Sequence, residues 1–169
     1  VPNAAEIESV SYDGQIYSYP LWSSTNMLFY NRAALEKAGV EMPSADPEKR
    51  MTWEELVALA KQVQDAGGAK YGLMFQQVDR YYQLQPLFES AGGGAGLTGD
   101  KMLVPSITSE AWVNTAEWYG ELFESGVAPR GIAADQTDTT FGAGDFAFYV
   151  GGPWAIPRWI ESGDRKSVV

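Results

Sequence analysis

The chain contains no cysteine and no histidine. Without cysteine it has no disulfide bond, no thiolate nucleophile and no cysteine-based zinc site. Without histidine it lacks the usual general base, the Ser-His-Asp arrangement and the commonest metal ligand. Enzymatic activity would therefore depend on a pair of carboxylates that the fold brings together.

Long apolar runs are also missing. No stretch of about 18 apolar residues is present, so we predict no membrane-spanning helix. The first ten residues, VPNAAEIESV, have neither a basic region nor an apolar core, so no signal peptide is visible. A mature or trimmed protein would have the same appearance.

Basic residues are few. The chain has 12 lysines and arginines against 22 aspartates and glutamates, which gives a formal net charge of −10. No cluster of basic residues interrupts this excess, which argues against a nucleic-acid-binding face. A solvated acidic exterior is the simplest interpretation. The 169 residues, of which 45% are apolar, are enough for one globular domain with a buried core.

Short apolar strands alternate with helical segments, a pattern that predicts an α/β layer fold. The predicted strands are Met27–Tyr30, Tyr71–Phe75, Met102–Ile107 and Phe146–Val150. The predicted helices are Asn31–Gly39, Thr52–Gly67, Tyr81–Ala91, Ser109–Ser125 and Thr137–Phe141. Asp13-Gly14 predicts a hairpin turn, and Thr52-Trp-Glu-Glu55 is the pattern of a capping box at a helix start.

The candidates for catalysis and metal binding are weak. Glu54 and Glu55 lie at a helix start, where carboxylates favour the helix dipole, so we interpret them as capping residues. Asp135 and Asp138 lie in a polar loop with no third ligand nearby in the sequence. The glycine-rich stretch AGGGAGLTGDK lacks the Gly-Lys-Ser/Thr of a phosphate-binding loop. We therefore predict no catalytic residue, no metal and no cofactor.

Three clusters combine flat aromatic rings with small polar side chains. They are Trp22-Ser-Ser-Thr-Asn26, Gln76-Gln-Val-Asp-Arg-Tyr-Tyr82 and Gly151-Gly-Pro-Trp154. A sugar site needs both features, because rings stack on the apolar C–H faces and polar groups hydrogen-bond the hydroxyls. Each cluster lies at a strand end or in a loop, where ligands of α/β proteins gather. Any one of these aromatics, taken alone, could equally be a half-buried packing residue.

Four stretches, in their order and spacing, resemble one family. They are YDGQIYSYPLWSSTNMLFYNRAALEKAGV, TWEELVALAKQV, YGLMF and TFGAGDFAFYVGGPW. They resemble the extracytoplasmic solute-binding proteins of carbohydrate ABC importers, the maltose-binding-protein-like family 1. The resemblance implies a type II periplasmic-binding-protein-like lobe, with three layers in which helices flank a mixed sheet.

The resemblance also implies an incomplete two-lobe protein. Residues 1–23 would form an extended segment leading to the crossover between the lobes. Residues 24–169 would form most of the carboxyl-terminal, ligand-binding lobe. The other lobe, and any signal or lipid-anchor sequence, would lie outside these residues.

Carried over from the family, the ligand position after the first crossover falls on Ser24, with Trp22 and Asn26 beside it. Relatives often have an acid at the Ser24 position and an arginine at the Asn26 position, so these departures leave the particular sugar open. In the loop after Tyr71–Phe75, the residues that match the family are Asp79 with Tyr81 or Tyr82.

The final cluster supplies the last candidate positions. Trp154 matches the stacking tryptophan that follows the Gly-Pro turn in the family. Gly151 and Gly152 would let the backbone approach a ligand and leave amide N–H groups free to point at it. Pro153 suits the first position of a helix.

The expected function is therefore binding of a mono- or oligosaccharide between two lobes, without catalysis. The expected partners are the carbohydrate and the membrane subunits of an ABC permease, with no nucleic acid and no direct membrane span. The expected location is extracytoplasmic, either in a periplasm or at the cell surface as a lipoprotein. The alternatives are a binding protein for a quaternary amine or polyamine, held by cation–π contacts, and a carboxylate-dependent glycosidase.

Overall fold

The computed structural model describes residues 3–21 and 25–161. Its α-helices are α1 (Ala4–Ser9), α2 (Arg32–Ala38), α3 (Trp53–Asp65), α4 (Tyr81–Ser90), α5 (Glu110–Glu124), α6 (Thr137–Gly142) and α7 (Ile156–Glu161). Its strands are β1 (Ser11–Tyr12), β2 (Gln15–Ile16), β3 (Met27–Tyr30), β4 (Tyr71–Phe75), β5 (Leu97–Thr98), β6 (Val104–Pro105) and β7 (Phe146–Gly151). Short 3₁₀ turns cover Pro47–Lys49, Asp100–Met102 and Pro153–Ala155. Within these residues no helix combines the length and the apolar character needed to cross a bilayer.

A mixed sheet with strand order β3–β7–β4 lies at the centre of the fold. The central strand, β7, is antiparallel to β3 and parallel to β4. All six residues of β7 are buried, which explains why its sequence, FAFYVG, is a continuous apolar run rather than an alternating one.

Helices cover both faces of this sheet. On one face, side chains of α2, α3, α4 and α5 form a core with residues such as Leu73 and Phe148. On the other face, Phe141 of α6 and Trp159 of α7 pack with Phe29 and Tyr149. The three-layer α/β architecture with a mixed sheet, predicted from the sequence, is confirmed.

The helix boundaries follow local capping chemistry. The side chain of Asn31 accepts a hydrogen bond from the backbone N–H of Ala34, and Gly39 ends α2 in the left-handed conformation with φ 67°. Thr52 and Glu55 form the predicted reciprocal capping box at the start of α3. The predicted turn at Asp13 and Gly14 joins β1 and β2.

Two local expectations differ from the structure. The amino-terminal segment, expected to be extended apart from the Asp13-Gly14 turn, contains α1. The predicted strand Met102–Ile107 is limited to Val104–Pro105, since Lys101 and Met102 adopt positive φ angles. The division of the chain at residues 23 and 24 falls outside the described residues and stays a prediction.

The sheet brings three chain segments to one of its ends. Met27, at the start of β3, pairs with Gly151, at the end of β7. Phe75, at the end of β4, pairs with Val150. The segment before β3, the loop after β4 and the turn after β7 therefore meet at the same end of the sheet.

Candidate functional site

The end of the sheet defined by the start of β3 and the ends of β4 and β7 contains the described parts of all three clusters. Asn26 precedes β3, Gln76 follows β4, and Gly151 closes β7. Trp22 and Ser24 lie outside the described residues, so the ligand-binding roles expected for them stay predictions. The other candidate residues are described below, one segment at a time.

The Gly-Pro-Trp corner is a compact strand-to-helix turn. Strand β7 ends at Gly151, Gly152 caps the 3₁₀ turn, and Pro153 occupies its first position, as predicted. A Cβ atom added at Gly152 would collide with the ring of Trp154. The Trp154 side chain remains 38% exposed. Glycine is needed at this position because the protein's own indole ring lies against its Cα atom.

The amide group of Gly152 is not free, contrary to the sequence-based expectation. Gly152 is buried, and its N–H donates a hydrogen bond to Oε1 of Gln76 over 3.2 Å. A Cβ atom added at Gly151 would lie 2.8 Å from Cε1 of Tyr149 and 3.2 Å from Oε1 of Gln76. Close packing within the protein therefore accounts for both glycines.

The loop between β4 and α4, together with the first turn of α4, presents polar and aromatic side chains to solvent. Asp79 is exposed, and Tyr82 is 57% exposed. Tyr81 is 38% exposed, and its ring stacks on Trp112 with centroids 6.1 Å apart and an interplanar angle of 30°. Partial burial raises the pKa of the Tyr81 hydroxyl above its usual range. Tyr81 is held by its neighbours, whereas Tyr82 is the more accessible ring.

Asn26 ties the start of β3 to α4. Its Nδ2 atom donates a hydrogen bond to the backbone carbonyl of Gln83 over 2.7 Å. The NH₂ group of Asn26 is thus used for a contact within the protein, and its Oδ1 atom is left to accept a hydrogen bond from a ligand. A groove of about 250 Å³ lies beside Asn26, and its wall is largely apolar, formed by residues such as Trp53, Phe75 and Leu87.

A buried polar network lies beneath these segments, and sequence reasoning missed it. Nε2 of Gln76 donates to Oδ1 of Asp138 over 2.6 Å. The hydroxyl of Tyr149 donates to the same oxygen, also over 2.6 Å. Arg158 contacts Oδ2 of Asp138 through Nη1, 3.1 Å away. Burial, and then the hydrogen bond to Asp138, raise the pKa of Tyr149 well above its usual range.

The network also reaches the loop after β4. Nε2 of Gln83 donates to Oε1 of Gln76 over 3.3 Å, and Oε1 of Gln83 accepts the backbone N–H of Gln77 at 2.6 Å. The hydroxyl of Tyr119 donates to the carbonyl of Val78 over 2.8 Å. These contacts fix the backbone from which Asp79, Tyr81 and Tyr82 project.

The only sequence signal for this network was the polar pair Gln76-Gln77 directly after a buried strand. Asp138 was considered as a metal ligand with Asp135, but the structure uses it as a buried hydrogen-bond acceptor, 7% exposed. Among the residues that the structure describes, no group of three or more potential ligands could hold a metal ion.

The whole chain, residues 1–169, matches the family model described as bacterial extracellular solute-binding protein. The galactooligosaccharide-binding protein of Bacillus subtilis (strain 168) is 27% identical over 167 residues, which are 94% of this chain and 37% of that protein.

Solved structures give the same result. The GacH receptor of Streptomyces glaucescens, studied unliganded and with acarbose, superposes with a TM-score of 0.74 at 28% identity, covering 96% of this chain and 41% of that one. Maltose-bound MalE3 of T. maritima gives a TM-score of 0.69 at 25% identity, covering 90% and 38%.

The chain therefore spans between 37% and 41% of the length of these three proteins. The fold is that of the maltose-binding type of periplasmic receptor, which confirms the predicted fold class. The chain belongs to the bacterial extracellular solute-binding protein family.

Proposed function

We propose that the chain forms most of the carboxyl-terminal, ligand-binding lobe of a receptor that captures a sugar and delivers it to an ABC importer. The observation that carries this proposal is the convergence of three segments at one end of the sheet, with exposed rings at Tyr82 and Trp154 and an exposed carboxylate at Asp79. Rings that stack on C–H faces, beside acceptors for hydroxyl groups, have the chemistry that a sugar requires. The galactooligosaccharide-binding and acarbose-bound relatives support this substrate class.

In this proposal the rings and the polar groups have separate tasks. Trp154 and Tyr82 provide flat apolar surface, while Asp79 and the Oδ1 atom of Asn26 accept hydrogen bonds from hydroxyl groups. Tyr81 contributes the edge of its ring, which is held in place by stacking on Trp112. By resemblance to the family, Trp22 and Ser24 are further candidate ligand-binding residues. Gly152 contributes through packing, because it makes room for the Trp154 ring.

Transport follows from closure around the bound sugar. The sugar docks on this lobe, a second lobe closes over it by a hinge motion, and the permease recognises the closed form. No bond of the sugar is broken, so the protein acts as a receptor rather than an enzyme. Its place of action is outside the cytoplasm, in a periplasm or at the cell surface through a lipid anchor.

Titration of the full-length gene product tests the proposal. We expect tryptophan fluorescence and calorimetry to detect saturable binding of maltose, acarbose or a galactooligosaccharide, with no products on prolonged incubation. Absence of binding to every sugar in a panel of mono-, di- and trisaccharides would contradict the proposal. Turnover of an oligosaccharide that Asp79→Asn abolishes would support the glycosidase alternative.

A second ligand class is consistent with the same exposed groups. Aromatic rings beside a carboxylate also bind quaternary amines and polyamines, through cation–π contacts and charge pairing. Betaine and spermidine therefore belong in the same titration. Saturable binding of either one, without binding of any sugar, would assign the receptor to this class.

A further inference from the structure

The amide of Gln76, at the end of β4, is used entirely inside the protein. The residue is 1% exposed. Its Nε2 atom donates to Asp138, and its Oε1 atom accepts from Gly152 N–H and from Nε2 of Gln83. Its backbone carbonyl also accepts the hydroxyl of Thr137 over 3.0 Å.

The direction of these hydrogen bonds is fixed by chemistry. The Asp138 carboxylate, which faces Arg158, can only accept, so it must face the NH₂ group of Gln76. The oxygen of the same amide is then turned toward Gly152 and Gln83. Since Nε2 of Gln83 is the donor in that contact, Oε1 of Gln83 is left to accept the backbone N–H of Gln77.

This ordered chain links the three segments of the candidate site. Through Gly152 it holds the corner that carries Trp154. Through Gln83 and Gln77 it holds the Asp79–Tyr82 segment, which comprises the end of the loop after β4 and the start of α4. The backbone carbonyl of Gln83 also accepts the side chain of Asn26, at the start of β3.

We propose that Gln76 is the positioning residue of the ligand site: its amide, oriented by Asp138, sets the separation between the Trp154 corner and the Asp79–Tyr82 segment. This inference rests on the proposed function, since the separation matters for binding only if both segments contact the ligand. Gln76 itself is buried beneath them and contacts neither solvent nor ligand.

A double-mutant cycle tests the inference in the full-length gene product. Gln76→Glu places a second carboxylate against Asp138 and removes the donor between them. Asp138→Asn replaces the two acceptor oxygens by one acceptor and one donor, so that a donor faces either Gln76 or Arg158. Together the two substitutions restore one donor and one carboxylate in reversed order, with the net charge of the wild type.

We expect each single variant to weaken sugar binding about tenfold, and the double variant to recover to within about threefold of the wild type, a coupling typical of directly bonded buried pairs. Val63→Ala, in the core on the α3 face and away from the network, is the matched control. It should lower the unfolding temperature and leave the dissociation constant unchanged, because Val63 is fully buried in the hydrophobic core and its aliphatic side chain can form no hydrogen bond.

Amide hydrogen exchange in the ligand-free protein provides a readout that does not depend on the ligand. Exchange at Gly152 and Gln77 should be faster in each single variant and return toward the wild-type rate in the double variant. If the wild type binds no solute, the proposed function fails, while this exchange pattern still decides the positioning role. If Gln76→Glu does not fold, the comparison of Asp138→Asn with the double variant decides it.

Two results would overturn the inference. One is wild-type sugar affinity in the folded Gln76→Glu variant. The other is a double variant that folds but is no better than the single variants in binding and in amide exchange.

Discussion

Replacing Gly152 by alanine tests the packing of the Gly-Pro-Trp corner. The backbone at Gly152 has φ −99° and ψ 160°, an extended conformation that alanine adopts without strain. The added methyl group would, however, collide with Cε3, Cζ3 and Cη2 of Trp154. The cost of the substitution therefore comes from displacing this ring or the corner around it.

The size of the effect follows from this contact. Adding a methyl group to a packed site costs about 1–3 kcal/mol, and we expect a loss of about 2 kcal/mol in the free energy of unfolding. Because the Trp154 ring is 38% exposed, it has room to turn toward solvent, and the variant should still fold. Sugar affinity should fall as well, since the displaced ring no longer offers the same face.

Urea unfolding, followed by circular dichroism, measures the cost. In a Trp154→Ala background the colliding atoms are gone, so the same glycine substitution should cost less than about 0.5 kcal/mol. The matched control is Gly120→Ala, in the interior of α5, where a Cβ atom would meet nothing within 4 Å. It should stabilise the protein by about 0.5–1 kcal/mol. Equal costs of Gly152→Ala in the two backgrounds would refute the reasoning.

The remaining predictions concern binding, capping and pH. Trp154→Ala should weaken sugar binding about tenfold in calorimetry, by analogy with the loss of an aromatic ring that stacks on a nucleobase. An unchanged dissociation constant would remove Trp154 from the site. Thr52→Ala should lower the free energy of unfolding by about 1 kcal/mol in urea, because it removes one half of a capping box, and no loss would contradict that role. Tyr149 and Tyr119 have raised pKa values in the folded state. Above the ordinary tyrosine pKa near 10, the unfolded state therefore loses these hydroxyl protons while the folded state keeps them. These two hydroxyls should not affect the free energy of unfolding below about pH 10. Above about pH 10 each of them should lower it by about 1.4 kcal/mol per pH unit. An equally steep fall in Tyr149→Phe would contradict the assignment.

Features that depend on residues close in the sequence were predictable. Asn31 and Thr52 cap helices through bonds to residues three positions away, so the spacing of residue types was sufficient. The same kind of signal was present in the missed helix α1, where Asn3 and Glu6 form a capping box. The family resemblance instead implies an extended segment leading to the crossover, which is why α1 is not among the predicted helices.

The support beneath the candidate site was not predictable, because it depends on contacts between distant residues. Gln76 and Asp138 are 62 positions apart, and neither residue type indicates which residue it will bond. The role of Gly152 also depended on tertiary structure. A glycine two positions before a tryptophan is consistent with close approach of a ligand and with contact to the protein's own ring. Only the position of the Trp154 ring distinguishes these two explanations.

The placement of β7 between β3 and β4 has a consequence for how the protein acquires its structure. Each outer strand of the sheet pairs with β7, which follows both of them in the chain. Among the described residues, Met27–Tyr30 and Tyr71–Phe75 therefore gain their strand partner only once Phe146–Gly151 is in place. Pairing over such long sequence separations is slow, because a large loop must close before any contact is gained. We therefore expect assembly of this sheet to be a late step of folding.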